Sequence, residues 1–187
     1  MLISKAQKEA VYDPKEEIVY DGKRYRVHNN WLSAGGGWAI NTHRNIDQKS
    51  IGVDYNFHIK TRYFQLGVFT TGNDFTPGNN YNFHFGIGYR KEKPKYNFAA
   101  FAGPSASYFY RPLEDSLRYD VSKLYNQVGV YTCVQIVYKI KYDIGVGLDL
   151  FADYNQVQTV FGARVVLFFS GSFRGDKGGH YMDGHRN

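Results

Sequence analysis

Cysteine is almost absent: Cys133 is the single one in 187 residues. An internal disulfide is therefore excluded, and a cysteine-built metal site has no second thiol to draw on. Also missing is any apolar run of about 18 residues, so no transmembrane helix can be drawn. Helical periodicity is scarce, with "PLEDSLRYDVSKL" at 112 to 124 the one short candidate. The glycine triplet at 35 to 37 lacks the Lys-Ser/Thr and the helix that a phosphate loop requires, and reads instead as strand bending or close packing. No serine stands beside His58 or His84 in a His-x-Ser arrangement, which leaves a serine–histidine hydrolase without its local signal.

What the chain has in quantity is aromatic side chains, 18% of all residues with 17 Tyr and 14 Phe, beside 20 Gly. They fall into a period of two. In "SIGVDYNFHIK", residues 50 to 60, Ile51, Val53, Tyr55, Phe57 and Ile59 share one face of a strand, and Asp54, Asn56, His58 and Lys60 share the other. Eight such runs follow one another, at about 31–41, 49–60, 62–72, 80–91, 95–110, 124–140, 142–154 and 160–172. The expected class is all-β.

The connections alternate in length. "THRNIDQK", "GNDFTPGN", "RPLEDSLRYDVSK" and "NQVQT" are long, whereas "TR", "KEKP" and "KY" are short. An antiparallel up-and-down barrel puts its short turns at one end and its longer loops at the other. A soluble lipocalin-like barrel shares that order, so the choice rests on which face is inside. The apolar sets, among them Leu32, Trp38 and Ile40, Phe83, Phe85 and Ile87, and Val165, Leu167 and Phe169, contain no charge. So many medium and large side chains overfill the interior of an eight-stranded barrel, which ordinary side chains only just fill. Turned outward they make a lipid-facing belt with small and charged residues in the lumen, which predicts an eight-stranded transmembrane β-barrel over 31–173. Tyr81, Tyr89, Tyr96, Tyr108, Tyr138 and Tyr154, with Tyr142, mark the ends of several runs and are expected in an aromatic girdle at headgroup level.

These runs, the signatures "FGIGYR" and "GVGLDLFADY", and a last strand ending "VVLFFSGSF" resemble the small OmpA/OmpX-type outer-membrane barrels, especially the Bacteroidetes outer-membrane β-barrel proteins, from Trp31 to Phe173. The resemblance implies a bacterial outer-membrane location, with membrane lipid and lipopolysaccharide as surroundings. It also puts Phe173 in the place of the C-terminal aromatic that the assembly machinery reads, although "RGDKGGHYMDGHRN" follows it here.

In the expected lumen, Asp54, His58, Arg90, Lys139, Asp149, Asp153 and Arg164 form a charge network, each group paired or solvated because an unpaired buried charge is costly. A closed plug, not a pore, is the expected result, and no catalytic, metal or cofactor site is assigned. His180, Asp183 and His185 in the tail make a poor preformed metal site, and the "RGD" spelling at 174 to 176 has no context.

The ends are predicted as accessories. Residues 1–6 read as a signal-peptide remnant, with small residues at Ser4 and Ala6 around Lys5; 7–30 as an extended arm on the short-turn side; and 174–187 as a polar tail. A formal net charge of +6 and a pI near 9.2 raise nucleic acid as a partner, but the lysines gather at short turns and in the arm, which suits anionic headgroups or an acidic protein. The leading reading is a structural or accessory barrel that binds other outer-membrane or periplasmic proteins within a secretion or barrel-assembly type of complex. A lipid-modifying enzyme and a soluble lipocalin-like binder are the alternatives.

Overall fold

A sheet whose strands each present one apolar face must cover that face, and it loses its unpaired edges only by closing on itself. The computed structural model describes residues 17–42, 46–72, 80–112 and 122–176. It contains β1 (Glu17–Tyr20), β2 (Lys23–Arg26), β3 (Trp31–Asn41), β4 (Ile46–Ile59), β5 (Arg62–Gly72), β6 (Asn80–Glu92), β7 (Tyr96–Pro112), β8 (Ser122–Lys141), β9 (Ile144–Asn155), β10 (Thr159–Ser170) and β11 (Phe173–Asp176). Strands β3 to β10 pair antiparallel with their sequence neighbours, and β10 returns to β3 to close an eight-stranded up-and-down barrel. A separate three-stranded sheet has the order β1-β2-β11.

The closing seam explains the glycine triplet. Gly35, Gly36 and Gly37 face Val166, Val165 and Arg164 in register. A Cβ on Gly35 or Gly37 would run into the carbonyls of Val165 and Ala163, so the two strands approach this closely only without one.

Turns of two or three residues at Lys60–Thr61, Lys93–Lys95 and Tyr142–Asp143 gather at one end, the turn end; the connections after β3, β5 and β7, which are longer, and the three-residue one after β9 belong to the other, the loop end. Lys60 sits in the left-handed region at φ 56° to make its turn. At the loop end, Asn155 Oδ1 accepts from the backbone N–H groups of Val157 and Gln158 at 3.0 and 2.9 Å, which ties down the connection to β10.

Side-chain facing follows the period of two. Leu66, Phe83, Ile87, Tyr89, Val128, Ile136, Val165 and Leu167 are exposed on the outside, while Asp54, Gln65, His84, Gln135, Asp149 and Arg164 are buried within. Aromatic faces inside, as a lipocalin-like binder requires, are therefore ruled out. The interior is nonetheless more aromatic than the sequence reading assigned: Trp31, Phe69, Phe101, Tyr131, Phe151 and Phe168 are buried there. Lumen-facing glycines make the room. A Cβ on Gly86 would press on Phe101, and one on Gly52 would occupy the place of the Arg164 guanidinium.

Several expectations are corrected. The short helix candidate at 112–124 has strand at both described ends, where Pro112 pairs with Ser122; its middle lies outside the described residues. The described part of the arm is a hairpin, not an extended segment: Asp21 and Gly22, at φ 50° and 73°, turn β1 into β2 as a type I′ turn prefers. The barrel ends at Ser170, so Phe173 is not the last residue of a barrel strand; it pairs with Tyr25 in the small sheet. Residues 174–176 are strand for the same reason. The leader remnant at 1–6, the arm before residue 17 and the tail histidines lie outside the described residues.

Candidate functional site: a lumen filled in three tiers

The charged groups expected as one network form three tiers along the barrel axis. In the middle tier, β10 brings Arg164 inward. Its Nη2 meets Asp149 Oδ2 at 2.5 Å, Tyr131 Oη at 3.1 Å and Asp54 Oδ2 at 3.5 Å, and its Nε donates to Asp149 Oδ2 at 3.1 Å. His84 Nε2 lies 2.9 Å from Asp54 Oδ1, and its ring stacks on Tyr131 at 3.7 Å between centroids. The Arg164 guanidinium also rests 4.4 Å from the Phe151 ring centre, a cation–π contact in a site from which water is largely removed. Gly67 is part of this construction, because a Cβ there would fall on Asp54 and His84.

The turn-end tier holds Arg90, Glu92 and Lys139. Glu92 pairs with Arg90 Nη2 at 3.0 Å and with Lys139 Nζ, so one carboxylate serves two cations. The Arg90 guanidinium lies 4.2 Å from the Trp31 ring centre and donates to Asn97 Oδ1 at 2.5 Å, to the Asn29 carbonyl at 3.1 Å and to Asn29 Oδ1 at 3.2 Å. Lys139 Nζ is 3.9 Å from the Tyr142 ring centre. Glu92 falls in "KEKP", a spelling that signals a turn, and only the strand pairing shows it as the last residue of β6. Between the two tiers, Trp31 Nε1 donates to Gln135 Oε1, and Gln135 Nε2 to Ser33 Oγ, both at 3.0 Å.

At the loop end Asp153 stands apart from both cation clusters. Ser105 and Ser107 donate to its two oxygens, the second at 3.1 Å, with Asn155 Nδ2 at 3.4 Å. Asn82 Nδ2 donates to Ser107 Oγ at 2.9 Å. The two hydroxyls thus serve a carboxylate, and His84 serves another one tier away, an arrangement unlike a serine–histidine–acid triad.

His58 does not join these tiers. It lies on the lumen-facing side of β4 but at the rim, half-buried, with Nδ1 3.0 Å from Asn30 Oδ1 and its ring 6.1 Å from that of His28.

The small sheet seals the turn end. Tyr25, 4% exposed, stacks on Tyr142 at 4.6 Å between centroids and meets Phe173 edge-on at 5.9 Å. Tyr142 is thus buried under the sheet and is not a girdle residue. The Arg26 N–H donates to the Ser172 carbonyl at 2.8 Å, which joins arm and tail. The other tyrosines form two groups on the outer wall. Tyr89, Tyr96 and Tyr138 lie toward the turn end, with Tyr96 and Tyr138 paired in register; Tyr81, Tyr108 and Tyr154 lie toward the loop end, with Tyr81 opposite Tyr108. All are exposed except half-buried Tyr108.

No family model matches the sequence, and no curated protein does. Solved structures match over nearly the whole of their own chains. Neisserial surface protein A (NspA) is 10% identical with a TM-score of 0.60, over 75% of this chain and 96% of that one. The N-terminal β-barrel domain of Pseudomonas aeruginosa OprF is 11% identical with a TM-score of 0.57, over 76% and 98%. The fold is that of a small outer-membrane β-barrel. Ail, the attachment invasion locus protein of Yersinia pestis, extends the likeness at 5% identity and a TM-score of 0.53, over 76% and 98%. Ail has also been solved in complex with the heparin analogue sucrose octasulfate. At these identities the likeness is one of fold, and it agrees with the broad OmpA/OmpX-type resemblance read from the sequence.

Proposed function

We propose that the protein is a closed, non-conducting barrel of the bacterial outer membrane, with its turn end in the periplasm, that serves as an accessory subunit and offers its small sheet to other envelope proteins. The observation that carries this reading is the filling of the lumen by the described residues: three polar tiers with aromatics between them, and a sheet clamped beneath. A passage for solutes would need these side chains to part, and each separation strands a buried charge. The functional surface is then outside the lumen. Among the described residues the small sheet has an unpaired edge at β1, where Val19 is 48% exposed, and strand addition is the recognition mode such an edge permits. The loop at 111–123 is a second candidate surface, of which residues 113–121 lie outside the described residues. The likeness to Bacteroidetes barrels in particular belongs to this proposal as well. No catalytic, metal or cofactor role is assigned, and the basic turn end faces anionic headgroups, not nucleic acid.

A photo-crosslinking residue at Val19 tests it in cells. The expected outcome is a defined adduct with an envelope protein at Val19 and lipid or nothing at Val53 on the outer wall. Purified wild-type protein in planar bilayers should give no steady conductance. An ion-selective open state would make the protein a porin, and an uncrosslinked Val19 in every growth condition would remove the docking role.

A further inference from the structure

The linker from β2 to β3 crosses the rim of the barrel and builds a cavity of about 400 Å³ that is polar below and apolar above. Its lower wall carries Arg26, His28 and His58. Asn30 fastens this wall to the barrel: its Nδ2 donates to Tyr55 Oη at 3.1 Å, and its Oδ1 accepts the His58 backbone N–H at 3.3 Å. Above, Phe169, Leu32 and Tyr55 form one cross-strand row over β10, β3 and β4, since Leu32 is in register with both of the others. They are 44%, 41% and 45% exposed on the lipid-facing side, so the apolar half of the cavity opens onto the membrane. Arg26 is half-buried at its floor. Its cross-strand neighbour is Glu17, yet among the described residues Arg26 makes no ion pair.

We propose that this cavity is a binding site for one anionic glycerophospholipid, with the phosphodiester on Arg26 between the two imidazoles and an acyl chain along the Phe169–Leu32–Tyr55 row. The inference rests on the barrel being membrane-embedded, not on the partner role. A guanidinium presents a fork of N–H donors matched to phosphate oxygens, and a half-buried one that makes no ion pair among the described residues has that capacity to spare. The position selects the source of the phosphate, because the cavity's apolar wall is continuous with the surface on which acyl chains lie. The exposed lysines of the same end, Lys60, Lys91, Lys93 and Lys95, attract anionic lipid without such a wall and so define a diffuse surface, not a site.

Native mass spectrometry of the full chain in detergent, titrated with phosphatidylglycerol, reads the site. One lipid should be retained; Arg26→Gln should weaken retention about ten-fold, the worth of one charge-assisted hydrogen bond, and His58→Gln should weaken it too by removing the ring that Asn30 holds in the cavity wall. The double variant Lys93→Gln, Lys95→Gln should retain lipid as the wild type does, and Phe169→Ala should weaken it through the chain contact. Arg26 lies in the small sheet and His58 in the barrel, so a parallel loss in both variants, with the folded band on unheated gels intact, cannot come from detachment of the sheet. Equal retention by the wild type and both site variants overturns the proposal, as does an equal loss in the lysine variant. Displacement by excess inorganic phosphate with no effect of Phe169→Ala also overturns it, as a site for the free anion only.

Discussion

Arg164 and Lys139 are both buried in the lumen, but different parts of the chain hold them. Every partner of Arg164 comes from a barrel strand: Asp54 from β4, Tyr131 from β8 and Asp149 from β9. The turn-end tier takes its Glu92 from the last residue of β6, and is capped by Asn29 of the linker and by Tyr142, which Tyr25 covers. The middle tier is therefore complete once the barrel closes. The turn-end tier is complete only when a segment outside the barrel docks. The middle tier is built by the barrel alone, whereas the cap on the turn-end tier comes from outside it.

Three measurements sharpen or break that contrast. The largest effect is expected at Arg164. Arg164→Ala leaves Asp54 and Asp149 buried without their cation and should destabilise the barrel by about 3–5 kcal/mol. Val165→Ala on the neighbouring outer face should cost well under about 1.5 kcal/mol, because lipid replaces the lost contact. Urea titration of refolded protein, followed by intrinsic fluorescence, compares the two, and equal midpoints would mean that the middle tier does not hold the barrel.

The second concerns the seal. Tyr25→Ala removes a buried ring and should cost about 3 kcal/mol locally. Amide exchange should accelerate in 23–26 and 173–176 while β5 to β8 stay protected, as expected of a separate cooperative unit. Faster exchange throughout the barrel would show that the seal and the plug are one unit.

The smallest effect is a steric one. Gly67→Ala pushes a methyl between Asp54 and His84 and should cost about 1–3 kcal/mol, as overpacking does. Gly171→Ala, at a position where a Cβ meets nothing within 4 Å, should stay within about 0.5 kcal/mol. Equal stability of the two variants would mean that the middle tier yields to crowding.

The sidedness of each strand was legible residue by residue. Asp54, Arg164 and Asp149 were placed inside, and Tyr55, Phe83 and Val165 outside, because alternation with period two is a property of a single strand and needs no partner to be read. The short turns were legible too. Less was seen where one local rule overruled another. "DG" at 21–22 carries the type I′ hairpin signal, but the surrounding charge was read as an extended arm. Glu92 closes β6 within a stretch whose lysines and proline signal a turn.

The sequence by itself determined that the protein is a barrel with an apolar outside and a charged inside, since composition and period are written along the chain. Only the tertiary structure decided which inward groups meet. Arg164 reaches Asp54 across 110 residues, and Trp31 reaches Gln135 across 104. Those meetings depend on the stagger with which eight strands close, and on glycines that let long side chains cross the lumen. The stagger sorted one expected network into three tiers, left His58 at the rim, and moved Phe173 from the end of a barrel strand to the seal. Period fixes the face of a residue, but its height and neighbours come from closure, which no single strand contains.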